Sequence, residues 1–384
     1  MSALPDPPVA PVLSARRLNA ECHCLPVDPA RVEALRRQLS LTAAAALTPT
    51  LFAMEPVFVS RAEVEAIERS VAALHACTRE PAYRARALAR APAIAADDFG
   101  PDGVFMAYDF HLGDDGPQLI EVNTNGGGAL LHARLHGLST DAFMEMFRAE
   151  WAAQRGDAPL GTVAIVDDRP WEQPMLPEFE LFAGLFEAAG LRAVIADPGE
   201  LTFDGQLRHQ GHPVDLVYNR LTDFYLEAPR SDALHRAHRS GAVVVTPHPR
   251  AHALHADKRN LVDLDVPGVP ECRAVEASQW SQRRQWYFKP AGSHGSRGVY
   301  RGAKLTRARW TEVLTAGDYV AQREVPPPRR TVLVGGQPHE LKFDVRAFAY
   351  RGRVQLLTAR IYQGQTTNLR TPGGGFAPVV IVPR

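Results

Sequence analysis

The sequence predicts a mixed chain, α/β in its middle and α+β towards its C-terminus. Two observations carry this. Between residues 160 and 250 the β-branched runs "TVAIVD", "RAVIA", "VDLVYN" and "GAVVVT" alternate with helical or turn material, which implies a small parallel sheet covered by helices. From 285 onwards "QWYFKP", "DYVAQREV", "HELKFDVRAFAY" and "RVQLLTARIYQG" are longer, richer in charge and joined by Gly-containing turns, the pattern of antiparallel strands. A third feature, the polar residues gathered at the end of the apolar strand "PQLIEVNTNGGG" (117–128), marks where chemistry would sit.

At 384 residues the chain exceeds what one core usually serves, so two or three substructures are expected. Lys+Arg and Asp+Glu both number 43, which argues against a nucleic-acid or membrane-surface binder driven by bulk charge. No window approaches the roughly 20 apolar residues of a membrane span. The opening "MSALPDPPVAPVLSARR" has prolines where a secretory signal has its apolar run, so the cytoplasm is the expected compartment. The cysteines at 22, 24, 77 and 272 are too scattered for a disulfide framework. "ECHC" offers Cys22, His23 and Cys24 to a metal, but no second cluster follows at zinc-finger spacing.

Taken in order, residues 1–28 are proline-rich and read as an arm, and most of 30–95 as helix. "SRAEVEAIERSVAALHAC" starts with a capping box, Ser60 and Glu63, and repeats Val64, Ile67, Val71 and Leu74 at helical spacing. In "EFELFAGLFEAAG", Phe179, Phe182, Phe186 and Ala189 share one face and Gly190 stops the helix. No G-x-G-x-x-G follows the strand at 162–167, which excludes a dinucleotide site there.

The stretch "VFMAYDFHLGDDGPQLIEVNTN" reads as a hairpin around "GDDG". A three-residue loop, Asp114, Asp115 and Gly116, sets Asp109 opposite Glu121, puts Asn123 on the same face as Glu121, and turns Phe110, Ile120 and Val122 the other way. Carboxylates directly opposed across two strands repel unless a cation or proton lies between them. Two acids and an amide oxygen suit magnesium, which leaves positions for phosphate oxygens. A solvated hairpin face is the alternative reading of the same residues.

In "YFKPAGSHGSRGVYRG" a strand ends at Lys289 and a loop of small residues follows, with Ser293, Ser296 and Arg297. Small residues let backbone N–H groups approach phosphate oxygens, and Lys289 and Arg297 add positive charge. The lysine precedes the glycines, so this is no Walker A loop, and a surface hairpin explains the pattern equally well. "HADKRNLVDL" places Lys258 at the start of a short helix. Downstream, "FDVRAFAYRGRVQLLTARIYQGQTTN" offers Arg346, Arg360 and Asn368.

Taken together, in this order, these residues resemble the ATP-grasp superfamily over roughly 105–128 and 160–375. The resemblance implies that Lys258 and Lys289 contact nucleotide phosphates under a lid formed by 292–298, with Ser293, Ser296 and Arg297. It implies that "VAQREV", with Gln322, Arg323 and Val325, is the hinge strand that holds adenine by its backbone. Asp109, Glu121 and Asn123 match the metal ligands of that superfamily, which seat one or two Mg2+ ions, with Mn2+ an alternative. Asp344, Arg346, Arg360 and Asn368 match its "DVR…ARI…TN" strand pair. The metal segment usually comes last and here comes first, so the chain resembles a circularly permuted ATP-grasp protein, as in eukaryotic-type glutathione synthetases. Its units would be 1–150, a helical segment plus the permuted hairpin; 158–257, the parallel-sheet substrate domain; and 258–384, the nucleotide-binding lid and core strands.

The activity implied is an ATP- and magnesium-dependent carboxylate–amine ligase working through an acyl phosphate, with Arg346 or Arg360 stabilising developing negative charge. Its partners would be small-molecule or peptide carboxylates and amines, with no nucleic acid and no membrane; a homodimer is compatible. A phosphotransferase of the same fold and a nucleotide-binding protein without catalysis are the alternatives. Asn125 and Asn368 are further substrate candidates. So is Arg220, which follows a parallel strand where open sheets bind ligands, with a structural salt bridge as its other reading. His248, His252 and His255, and the pair His132 and His136, lack the acids of a zinc site.

Overall fold

The computed structural model describes residues 14–22, 28–48, 50–262, 264–292, 298–365, 367–368 and 370–383. A seven-stranded sheet forms the centre. Its order is Val57–Ser60, Gly375–Val382, Arg353–Tyr362, Gln337–Tyr350, Met106–Gly113 and Gly116–Asn123, with Arg329–Val334 also paired to Gln337–Tyr350. Val57–Ser60 and Gly375–Val382 run parallel, and every other pair is antiparallel.

Alternation along these strands sorts the sheet into two unlike faces. Leu341, Phe343, Val345 and Ala347, with Tyr108, Phe110, Ala359 and Ile361, are buried against Val64, Ile67, Val71 and Leu74 of helix Arg61–Cys77. That helix starts at the expected capping box: the Glu63 N–H donates to Ser60 Oγ at 3.2 Å and the Ser60 N–H donates to Glu63 Oε2 at 2.7 Å. The opposite face carries Asp109, His111, Glu121, Asn123, Asp344, Arg346, Arg360 and Tyr362, by the register of the same strands.

The four expected β-branched runs form a parallel sheet in the order Val244–Thr246, Leu216–Asn219, Thr162–Val166, Arg192–Ala196. Helix Leu176–Ala188 covers it, and Phe179, Phe182 and Phe186 join Phe105, Phe147 and Tyr218 in one core. Between these strands lies a unit the sequence reading left as helix or turn. Leu201–Phe203, Leu207–His209 and His212–Pro213 make a small antiparallel sheet of their own.

The C-terminal antiparallel strands divide between two sheets. Trp286–Pro290 and Tyr319–Arg323 belong to a separate four-stranded sheet with Cys272–Ala274 and Tyr300–Arg301, while the two longest strands belong to the central sheet. Cys77 and Cys272 are free thiols, but Cys22 is disulfide-bonded, which the cysteine spacing did not suggest. His23 and Cys24 lie outside the described residues. Among the described residues no helix is long and apolar enough to cross a membrane.

Candidate active site

Asp109 stands opposite Glu121, as the sequence required, but by a different route. The turn has two residues, Asp114 and Asp115, because Gly113 pairs with Gly116. Gly116 takes a left-handed φ of +91°. A bulge supplies the missing residue: Phe110 pairs with Leu119 and Asp109 with Glu121, so Ile120 has no partner across the ladder. Its freed carbonyl accepts a hydrogen bond from Lys289 Nζ at 2.8 Å. Register is therefore kept, while one peptide group is released to serve the site.

The environment of Asp109 differs from that of a free metal ligand. Asp109 is 1% exposed and lies between two arginines. Arg346 binds it side-on, Nε to Oδ1 at 2.6 Å and Nη2 to Oδ2 at 2.8 Å. Arg360 Nη2 reaches Oδ2 at 2.8 Å and also grips Asp344, with Nε to Oδ1 at 2.8 Å and Nη2 to Oδ2 at 3.0 Å. Thr367 Oγ1 donates to Asp344 Oδ2 at 2.7 Å. Burial alone would lift the Asp109 carboxyl, but Arg346 and then Arg360 hold it below the usual carboxylate range. For Arg360, burial is outweighed by Asp109 and Asp344, which raise its pKa and keep it charged.

The metal candidates thus meet but divide in role. Asn123 Nδ2 lies 3.2 Å from Asp109 Oδ2 and 3.3 Å from Glu121 Oε1. Glu121 and Asn123 are half-buried on one face, an acid and an amide that fit a magnesium ion completed by phosphate oxygens. Both Asp109 oxygens are already in charged pairs with arginine, so its carboxylate fits an arginine clamp rather than a cation. No group of three His, Cys, Asp or Glu side chains among the described residues could hold a metal by itself.

Lys289 faces this hairpin from the small sheet. Its ammonium also donates to Gln322 Oε1. Burial first of all brings it down to about 8, with Glu121 opposing and the nearby Lys258 assisting. Lys258 is buried on the turn Lys258–Leu261 and its N–H donates to Ala291 O at 3.3 Å. Between the two sheets lies a cavity of about 170 Å³ whose walls include Glu121, Lys289, Gln322, Val325, Arg360 and Thr367. A larger cleft of about 760 Å³ borders the N-terminal helix, the hairpin tip and Pro326–Pro328; it shares Arg323 and Val325 but contains no lysine and neither Asp109 nor Glu121.

The remaining candidates make the following contacts. The Gln322 side chain turns inward, and Nε2 donates to Leu119 O at 3.1 Å. Arg323 pairs with Glu271 at 2.6 Å and lies 4.5 Å over the Trp286 ring. The Val325 carbonyl accepts from His111 Nδ1 at 2.9 Å. Arg220 is a structural cross-link: Nη2 donates to Asn125 O at 2.8 Å, Nη1 to the Tyr218 hydroxyl at 3.2 Å, and its charge faces Glu178. The Asn125 side chain donates back to Leu221 O at 3.3 Å. Asn368 staples its own loop, donating to Gln363 O at 2.6 Å and accepting from the Arg370 N–H at 3.1 Å. Ser293, Ser296 and Arg297 lie outside the described residues.

Sequence reasoning missed three participants. His111 lies two residues beyond Asp109, on the same face by alternation, and could have been found that way. Asp344 was noted without a role, although it directly faces Arg360. Glu178 had no signal at all; its buried carboxylate accepts from the Gly128 and Leu130 N–H groups at 2.9 Å each, anchoring the glycine loop to the parallel-sheet unit.

No protein-family model and no curated protein matches the chain. Solved structures do. A glutathione synthetase-like effector from Globodera pallida, in its apo form, is 14% identical over 92% of this chain and 98% of that one, with a TM-score of 0.54. A Methylobacillus flagellatus protein proposed to be a gamma-glutamylcysteine synthetase is 10% identical over 81% of this chain and 85% of that one, at 0.43. A D-alanyl-alanine synthetase A from Vibrio cholerae is 11% identical over 57% and 88%, at 0.32. The first carries the fold and nothing beyond it: this chain has a glutathione-synthetase-like, ATP-grasp fold.

Proposed function

We propose that this chain, an ATP-grasp protein by fold, is an ATP-dependent ligase that joins a carboxylate to an amine and releases ADP and phosphate. One observation carries the reading. Glu121, Lys289 and Arg360 come from three separate parts of the chain and line one cavity between two sheets, with the Asn123 amide 3.3 Å from Glu121 on the same strand. An acid and an amide facing a buried ammonium and a fixed guanidinium form a site for a polyphosphate and its counter-ion.

Lys289, with Lys258 buried beside it, would hold the phosphate tail. Magnesium at Glu121 and Asn123 would neutralise charge on the phosphate oxygens. Transfer of the γ-phosphoryl group to the substrate carboxylate gives an acyl phosphate; the amine attacks its carbonyl carbon and phosphate leaves. Arg360, fixed by Asp109 and Asp344, suits the charge that develops on the acyl phosphate and the later oxyanion. The early position of the metal segment in the chain fits a circular permutation. The last strand, Gly375–Val382, lies beside Val57–Ser60, which leads directly into the helix before the hairpin.

The experiment is ADP release from ATP and magnesium across pairs of carboxylates and amines, with mass detection of the amide. Wild type should form an amide with at least one pair, and Glu121→Ala should fall by two orders of magnitude or more. ADP release equal in both proteins, or a stable phosphorylated product without amide, rejects the ligase reading.

A further inference from the structure

Gln322 sits on the middle strand of the small sheet, paired with Cys272 on one side and Tyr287 on the other. Its backbone is therefore committed to the ladder, and its side chain, 3% exposed, points at the hairpin. The amide spans two partners there. Oε1 accepts from Lys289 Nζ, and Nε2 donates to Leu119 O at 3.1 Å. Lys289 in turn donates to Ile120 O, the carbonyl released by the bulge, at 2.8 Å. The Leu119 N–H donates to Gly268 O at 2.7 Å, which fixes the same strand from outside.

We propose that Gln322 is a positioning residue, whose side chain locks Lys289 onto the bulged strand so that the ammonium and Glu121 keep one fixed spacing. The claim rests on the ligase reading only for what the spacing serves. Two consecutive carbonyls of the hairpin strand, Leu119 and Ile120, are reached by one amide and one ammonium that also bind each other. A shift of the small sheet relative to the hairpin breaks both bonds to these carbonyls together and leaves the bond between Lys289 and Gln322 intact. Both oxygens that hold Lys289 are neutral, so its charge is solvated but not cancelled, the condition of a group that awaits an anion. The hinge strand thereby acts through a side chain as well as through its backbone.

The test uses the full chain and the variants Gln322→Met, Lys289→Met and the double variant, with melting curves to verify folding. First, nucleotide-free protein is treated with trace acetic anhydride, and acetylation of each lysine is read by mass spectrometry. Gln322→Met should raise labelling of Lys289 severalfold relative to Lys304 and Lys342; unchanged labelling overturns the proposal, whether or not the protein is a ligase. Second, ATP binding is measured by calorimetry. Gln322→Met should weaken it about tenfold or more, the worth of a hydrogen bond to a charged group, and less than twofold once Lys289 is already methionine. Equal losses in both backgrounds make Gln322 merely structural and refute the claim. A folded wild type that binds no ATP removes the ligase reading, and the labelling result then decides the positioning claim alone.

Discussion

Asp109→Asn separates two accounts of one carboxylate. If Asp109 and Glu121 face each other to seat a cation, removing one charge relieves their repulsion, and the ligand-free protein gains stability. The arginine clamp requires the opposite. Arg360 would keep Asp344, but Arg346 would lose its charged partner and one of the two oxygens it grips at position 109, keeping the remaining amide oxygen, a 3.5 Å contact to Gly127 O and the ring of Phe348. Removing one partner of a buried pair costs about 3–5 kcal/mol because the other charge stays buried without compensation. Unfolding entropy of about 2.1 cal/mol/K per residue, over 384 residues, converts this into a Tm lower by about 4–6 °C.

The assay is scanning calorimetry in chelator at neutral pH, with nucleotide absent. Because the folded Asp109 carboxyl is held below its ordinary value, its contribution is complete above about pH 4, the unfolded value, and is lost as pH falls through the folded one. The gap between wild type and variant should therefore close on acidification. A variant as stable as wild type, or more stable, refutes the clamp and restores Asp109 to the metal.

Nucleotide affinity should hold steady below pH 8 and fall above it, since Lys289 loses its proton near 8; Lys289→Arg should flatten the profile, and binding titrations from pH 6.5 to 9.5 decide. Gly128→Ala should cost at least about 1–3 kcal/mol in denaturant unfolding, because φ is +104° and a Cβ there would sit 2.6 Å from two atoms of the Phe376 ring. Burial holds His238 and His255 at about 3 and His136 at about 4. The unfolded chain then binds protons that the folded one refuses, so stability should drop below pH 6.5 by up to about 1.4 kcal/mol per unit for each histidine. His238→Phe should remove about one proton from that slope, and an unchanged slope would assign the acid lability elsewhere.

What the sequence made legible was whatever repeats at short range. The capping box at Ser60, the aromatic face of Leu176–Ala188 and the four parallel strands all rest on spacings within one element. The opposition of Asp109 and Glu121 came out right because two departures cancel: the turn is one residue shorter than expected and the Ile120 bulge restores the count. That cancellation was invisible in the text, and it is what frees the carbonyl for Lys289. The roles of the charges were less legible, for a different reason. Asp109 becomes an anchor for arginine because Arg346, 237 residues away, is its neighbour on the adjoining strand. Arg220 becomes a cross-link because the glycine loop, some 95 residues upstream, ends against it. A carboxylate opposite a carboxylate calls for a cation, and the pattern within the hairpin cannot say whether that cation is a metal or a guanidinium from the next strand. In the polar face of this sheet the guanidinium answer is visible at Asp109, whose two oxygens both meet arginine, while Glu121 beside it lines the same cavity as Lys289.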